Sequence, residues 1–224
     1  LPTFACSRND MQLIPVTNEK TAREFLLVPV LLHGNDPSWV RPLDKDINDV
    51  FDKEKNKAFR FGEAIRWILK DDAGTLIGRI AAFTNKKYKN KGDEVPVGGI
   101  GFFACINDQA TADLLFDNAK HWLIKQGMEA MDGPINFGER DRWWGLITEG
   151  FTPPVYGMNY NPPYYTSLFE HYGFHVFFNQ ICFGLDPTKP LAQKTMERHK
   201  LHEANPEISL ETIKKNNLDK YAGD

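Results

Sequence analysis

Asn161-Pro162-Pro163-Tyr164-Tyr165-Thr166-Ser167-Leu168-Phe169-Glu170-His171-Tyr172-Gly173-Phe174 is the stretch whose reading decides the fold. Asn-Pro-Pro is turn chemistry, because proline fixes φ and lacks an N–H. The following run reads as a short amphipathic helix. Gly173 stops it, since glycine accepts the left-handed conformation that ends helices. The apolar run from His175 to Leu185 then reads as a strand.

Upstream, Val155–Tyr160 reads as a short strand, preceded by a long connection, Asn136–Pro154, dense in Trp, Arg and Glu. Before it, Met128–Ile135 is a strand. Val95–Ile106 is the most hydrophobic strand, and its glycines at 98, 99 and 101 indicate a bulge or a close backbone approach. Between these two strands lies a helix capped by Asp108 or Thr111. Its buried stripe is Ala112, Leu115, Ala119, Trp122 and Leu123, and Gly127 ends it. Strand, long helix, strand implies a parallel crossover.

The N-terminal part follows the same logic. Gln12–Val16 is a short strand. Thr17 or Asn18 caps a helix from Glu19, with Ala22, Phe25, Leu26 and Val30 on one face. Pro29 marks a kink or a break in it. His33–Pro37 is a loop and Leu43–Phe51 a second helix. Glu63–Lys70 and Thr75–Thr84 are strands joined by the hairpin residues Asp71–Gly74. Asn85–Glu94 is a basic loop, with Lys86, Lys87, Lys89 and Lys91 on a solvated turn. The expected fold is therefore one mixed α/β (α+β) domain over residues 11–186, a mixed central sheet flanked by helices. Residues 1–10 read as an extension or an expression remnant. A charged linker helix covers 187–206. Residues 207–224 repeat the strand-then-capped-helix pattern of the start of the chain, as the beginning of a second domain would.

The Asn161–Phe174 block closely resembles the last conserved block of the GCN5-related N-acetyltransferases (GNAT), where an Asn opens a helix ending in Leu-Tyr-x-x-x-Gly-Phe. The element order agrees over residues 11–186. The run Gly133-Pro134-Ile135-Asn136-Phe137-Gly138-Glu139-Arg140-Asp141-Arg142-Trp143-Trp144-Gly145 resembles bacterial tandem-domain members of that superfamily. The resemblance implies a GNAT-like acyl-CoA N-acyltransferase fold. It further implies transfer from acetyl-CoA or another acyl-CoA to an amine, and a second domain of the same fold C-terminal to this one. In that family the acyl donor lies where two parallel strands splay apart, which places Phe103, Ala104, Cys105 and Ile106 beside it.

Two positions depart from the family pattern. The junction Ile106–Ala112 has no glycine, and Asp108 puts negative charge where a pyrophosphate would meet the helix N-terminus. Phe169 stands where the family's general-acid Tyr would be, leaving Tyr164, Tyr165 or Tyr172 as substitutes. Of these, Tyr165 is the catalytic candidate, and Glu139 and Asp141 are candidate bases. Arg140 and Arg142 are candidates to hold a carboxylate or phosphate bidentately. Asn136, Trp143, Trp144, Tyr160, Asn161 and Tyr164 complete the expected substrate-binding mouth. A catalytically silent binding module of this fold, or a tandem-domain aminoacyl-tRNA-dependent transferase, are the alternative readings.

Composition bounds the partners. The chain has 224 residues, 42% hydrophobic and 25% charged, which is ordinary for a soluble globular domain. A net charge of −3 gives no basic footprint for nucleic acid or an anionic membrane. The longest apolar runs, such as Phe25–Leu32, are too short to span a bilayer. Cys6, Cys105 and Cys182 are widely spaced and show no metal-ligand pattern, so no metal is expected. Reduced thiols in a cytoplasmic protein are the simplest reading, and the resemblance implies a small-molecule amine as substrate. His33, His121, His171 and His175 read as structural.

Overall fold

The computed structural model describes residues 11–87, 94–138, 142–203, 205–207, 209 and 212–218. The chain divides into two units, Leu1–His175 and Val176–Asp224. The first contains a mixed five-stranded sheet in the order β1 to β5: β1 Gln12–Pro15, β2 Gly62–Lys70, β3 Leu76–Asn85, β4 Val97–Cys105 and β5 Ala130–Asp132. The first three pairings are antiparallel and β4–β5 is parallel. The helices are α1 Glu19–His33, α2 Asp44–Val50, α3 Gln109–Lys125 and α4 Tyr164–Tyr172. This is the mixed sheet flanked by helices that the sequence implied, with the expected parallel crossover through α3.

Each helix starts where its sequence says. Asn18 caps α1 by accepting from the Thr21 N–H, and Thr21 Oγ1 accepts from the Asn18 N–H, a reciprocal capping box. Asp108, not Thr111, caps α3, its carboxylate accepting from the Thr111 N–H and hydroxyl. Ala112, Leu115, Ala119 and Leu123 are the buried stripe, joined by Thr111 and Phe116. Gly173 ends α4 at φ +110.

Pro29 does not break α1, which runs on to His33. A proline at 29 cannot donate to the carbonyl of residue 25, so that carbonyl needs another donor. Arg79 Nη1 of β3 supplies it, 2.8 Å from Phe25 O. The helix is spliced to the sheet at the point where its own ladder fails.

The two faces of the sheet pack separately. Trp67, Leu69, Ile80, Ala82, Ile100, Phe103 and Cys105 meet α3 and α4. Ile68, Ala81 and Ala104 meet α1 and α2 through Phe25, Leu26, Val28 and Ile47. An irregularity in β3–β4 pairing lies opposite Phe102, whose φ is +51. Bulges of this kind carry one extra residue and turn the strand. Here Phe102 joins the α1 face while Phe103 stays on the α3 face.

Three strand expectations are corrected. Met128–Ile135 pairs only over Ala130–Asp132, because Pro134 cannot donate to a ladder and the chain leaves β4 there. Ile135 N–H makes a last contact to Ile100 O at 2.8 Å. Gly101 permits this closeness: a Cβ on it would lie 2.0 Å from Ile135 O. Val155–Tyr160 is a turn, since Gly157 sits at φ +80 and the Met158 N–H returns to Val155 O. His175–Leu185 forms no strand, for no neighbouring strand among the described residues takes up its backbone groups. Phe183, at 91% exposure, typifies its apolar side chains.

In the second unit, α5 Gln193–Glu203 is the charged helix expected over 187–206, and none of its residues is buried. The 207–224 repeat lies largely outside the described residues; Lys215–Asn217 forms a single 3-10 turn. Lys89 and Lys91 of the basic loop also lie outside them. Among the described residues no helix is long and apolar enough to cross a membrane, and no group of three or more His, Cys, Asp or Glu side chains could hold a metal.

Candidate functional site

Because β5 leaves β4 after Ile100, the remainder of β4 pairs with β3 alone and its other edge has no strand beside it. A cavity of about 90 Å³ lies on the α1 face of this region, lined by residues of α1, α2, β3, β4, the connection after β5 and α4. That volume accommodates several waters. His33, Trp39, Arg79, Phe102, Trp143, Tyr160 and Tyr165 carry most of its chemistry.

The polar centre is a chain of buried groups. Cys105 N–H donates to Tyr165 Oη at 3.0 Å, and Tyr165 Oη lies 3.1 Å from His33 Nε2. Burial lowers the His33 pKa to about 4, with the nearby Arg79 charge adding to the effect and Asp36 opposing it. The imidazole is therefore neutral at pH 7. With its lone pair on Nε2, it accepts the Tyr165 hydroxyl proton, and every proton in the chain has an acceptor. Burial also holds the Tyr165 hydroxyl well above the usual phenol range.

His33 is walled by aromatic rings. Tyr160, Tyr165 and Trp39 approach it edge-on at centroid distances of 5.6, 5.9 and 6.3 Å. Tyr160 donates its hydroxyl to Asp36 Oδ2. That bond, with the Ser38 N–H on the same carboxylate, holds Asp36 below the ordinary range, so it is ionised at neutral pH.

Arg79 lies at the bottom of the cavity, 6% exposed. It carries the Phe25 carbonyl bond described above, and its guanidinium stacks on Phe25 and Phe102 at 4.7 and 5.9 Å. Burial, opposed by Tyr165 and aided by the neighbouring Arg66, lowers its pKa to about 9. It remains charged at pH 7, yet no carboxylate among the described residues pairs with it.

The residues expected at the mouth fall into three groups. Glu139, Arg140 and Asp141 lie outside the described residues. Tyr165, Tyr160, Asn161, Trp143, Phe103 and Ala104 line the cavity together. The others stand around it. Asn136 is buried. Trp144 packs near Phe137 and Phe83. Arg142 lies over the Tyr156 ring at 5.6 Å, and Tyr156 donates to Asp46 at 2.5 Å.

Asn161 does not cap α4. Its amide instead holds the connecting loop, accepting from Ile147 N–H at 2.7 Å and donating to Ile147 O at 3.1 Å. Tyr164 donates to Cys105 O at 2.8 Å. Both backbone groups of Cys105 are thus engaged by α4 tyrosines. The Cys105 thiol is buried and pushed far above the ordinary thiol range, hence protonated. Ile106 is half-buried against the α3 face.

No motif or spacing in the sequence brings Arg79, Asp36 or Trp39 together with His33. One signal was available. Arg79 interrupts Leu76-Ile77-Gly78-Arg79-Ile80-Ala81-Ala82-Phe83, an otherwise apolar strand, and arginine is almost never buried without a partner.

No family model matches this chain. It is 27% identical over 198 residues to the bacterial ceramide synthase of Caulobacter vibrioides, covering 88% of this chain and 51% of that protein. It is also 27% identical over 186 residues to protein YghO of Escherichia coli K12, covering 81% and 47%. The chain thus spans about half the length of the curated relatives it matches. Among solved structures, an aminoglycoside 6′-N-acetyltransferase of Acinetobacter baumannii aligns with a TM-score of 0.49 at 13% identity, covering 79% of this chain and 98% of that one. Glucosamine-6-phosphate N-acetyltransferase of Arabidopsis thaliana aligns at 0.44 and 9%, covering 79% and 99%.

Proposed function

We propose that this domain transfers an acyl group from an acyl thioester, such as an acyl-CoA, to an amine within the cavity described above. The observation that carries the reading is the neutral His33 imidazole, held by Tyr165 in a cavity beside the part of β4 that β5 has left. An amine attacks a thioester only as the free base; the N–C bond forms as the C–S bond breaks and the surplus amine proton leaves on the departing thiol, so the site must present hydrogen-bond acceptors that orient the N–H groups. Tyr160 is one: its own proton goes to Asp36, which leaves its oxygen lone pair for an N–H. The ionised Asp36 steadies the positive charge of the incoming ammonium. Tyr165 acts through His33 as a positioning residue. The name of the Caulobacter relative supports the same bond type, because a ceramide is an N-acylated long-chain amino alcohol.

Glu139 and Asp141 remain proposed bases and Arg140 and Arg142 proposed anion contacts, on the sequence alone. The second domain of the same fold likewise rests on the sequence pattern of residues 207–224. The α3 N-terminus is occupied by the Asp108 carboxylate, so a donor pyrophosphate would find the first-turn Thr111 N–H already taken.

The test is direct. Purified protein is incubated with acyl-CoA donors of graded chain length and a panel of amines, and amide product is read by mass spectrometry alongside thiol release. We expect amide formation that falls at least tenfold in Tyr160→Phe, which keeps the ring and removes the hydroxyl. Thiol release without amide, or turnover unchanged in that variant, would refute the proposed site.

A further inference from the structure

Arg79 is not explained by acyl transfer to an amine as such. Its bond to Phe25 O needs only one of five N–H donors. Its Nε has no partner among the described residues, and beyond the contacts given above Arg79 interacts only electrostatically with Tyr165. A buried guanidinium facing only a carbonyl and two aromatic rings is costly to keep, and a methionine or leucine of similar length would fill the space. The residue nevertheless lines the cavity that holds His33 and Tyr160.

Resting on the acyl-transfer reading, we infer that the amine acceptor also carries a carboxylate, and that Arg79 receives it. The charges in the cavity suit such a molecule at both ends. Asp36, through Tyr160, presents negative charge to one side of His33, and Arg79 presents positive charge to the ring as well. An amino-acid-type acceptor places its ammonium toward the first and its carboxylate toward the second. A planar guanidinium matches a planar carboxylate by two parallel N–H···O bonds. Phosphate fits less well, since it carries nearly two charges and, among the described residues, Arg79 is the only cationic side chain lining the cavity. Pro29, Val40, Ile47 and Leu146 make much of the remaining wall apolar, with Asn159 and Asn161 also lining it, and the apolar part strengthens a charge pair formed there.

Removing Arg79 alone would strand the Phe25 carbonyl, so the test uses a background that repairs it. Pro29→Ala returns the missing N–H to α1. Acetate is the probe, titrated by calorimetry into the full chain at constant ionic strength, with chloride as the balancing anion. We expect wild type and P29A to bind acetate saturably, and P29A/R79M to bind it at least tenfold more weakly. The urea midpoint of P29A/R79M should equal or exceed that of P29A. Absence of acetate binding by wild type, or equal affinity in P29A and P29A/R79M, overturns the proposal. A midpoint well below that of P29A with acetate affinity unchanged makes Arg79 structural and overturns it too. Acetate binding requires no acyl donor. Arg79-dependent binding without transfer to any amine would therefore remove the acyl-transfer reading and leave the carboxylate seat.

Discussion

The two faces of this sheet are built to different standards. On the α3 and α4 side, Phe103, Phe116, Phe169, Tyr172 and Phe174 stack ring against ring at 4.7–5.9 Å, with no charged side chain buried among them. On the α1 side, a comparable apolar cluster encloses Arg79 and backs onto His33, and Arg66 lies over the Phe51 ring at 4.2 Å with its Nη1 lacking a partner. Both faces share the same three central strands. The strands alternate between them residue by residue, so one sheet can carry an aromatic core on one side and buried guanidinium groups on the other. Departures from good packing rules concentrate where a protein works, and the intact face supplies the stability to tolerate them.

The largest expected effect tests the aromatic face. Phe116 is fully buried and contacts four other rings. Phe116→Ala should cost about 3–5 kcal/mol, the usual loss for emptying an aromatic core position. Urea unfolding at pH 7 measures it. A loss below about 1 kcal/mol would mean that this face is not the stabilising one, and the contrast between the faces would disappear.

A second expectation belongs to the α1 face and comes from pH. His33 titrates near 4 in the folded chain against 6.5 unfolded. Between those values the unfolded chain binds a proton that the folded chain refuses, so stability rises with pH there. The His33 contribution is whole above about pH 6.5 and is lost as pH falls toward 4. Between pH 7 and pH 5 the loss is roughly 2 kcal/mol by linkage. Urea midpoints of wild type and His33→Gln at the two pH values isolate it, since the carboxylates titrate alike in both. Parallel pH dependences would show that His33 is hydrated, and the relay with Tyr165 would fall with it.

Much of the aromatic face could be read from the sequence. The stripe of α3, the Gly173 stop and the parallel crossover are local signals, each fixed by a few neighbouring residues, and tertiary packing agrees with all of them. The site could not be read that way. His33 lies 132 positions from Tyr165, and Asp36 lies 124 from Tyr160, so no spacing rule joins them. Tyr165 stands out in the sequence because it lies inside the Asn161–Phe174 block. Arg79 was overlooked because the strand pattern around it is so clear that a single cation looks like noise. The strand expected over Met128–Ile135 failed for a related reason. Its apolar run continues to Ile135, but pairing ends where Pro134 withdraws a donor.

The smallest effect asks whether charge pairing holds α1 to the sheet. Lys70 Nζ of β2 reaches Glu24 Oε1 of α1 at 2.9 Å, with both side chains 18% exposed. It is the least exposed ion pair among the described residues, and it sits on the same face as the lone Arg79. If ion pairs fastened α1, Glu24→Gln would loosen it substantially. If the fastening is the Phe25, Leu26 and Val28 contact with Ile68 and Ala81, the pair should contribute little, because ordering two long side chains offsets most of the attraction. We expect Glu24→Gln to cost about 0.5 kcal/mol, and 0.5 M salt to remove most of that. A cost of 2 kcal/mol or more at low salt would show that paired charge carries this face. An unpaired Arg79 on the same face would then be costlier than supposed, and a bound carboxylate would have more to supply.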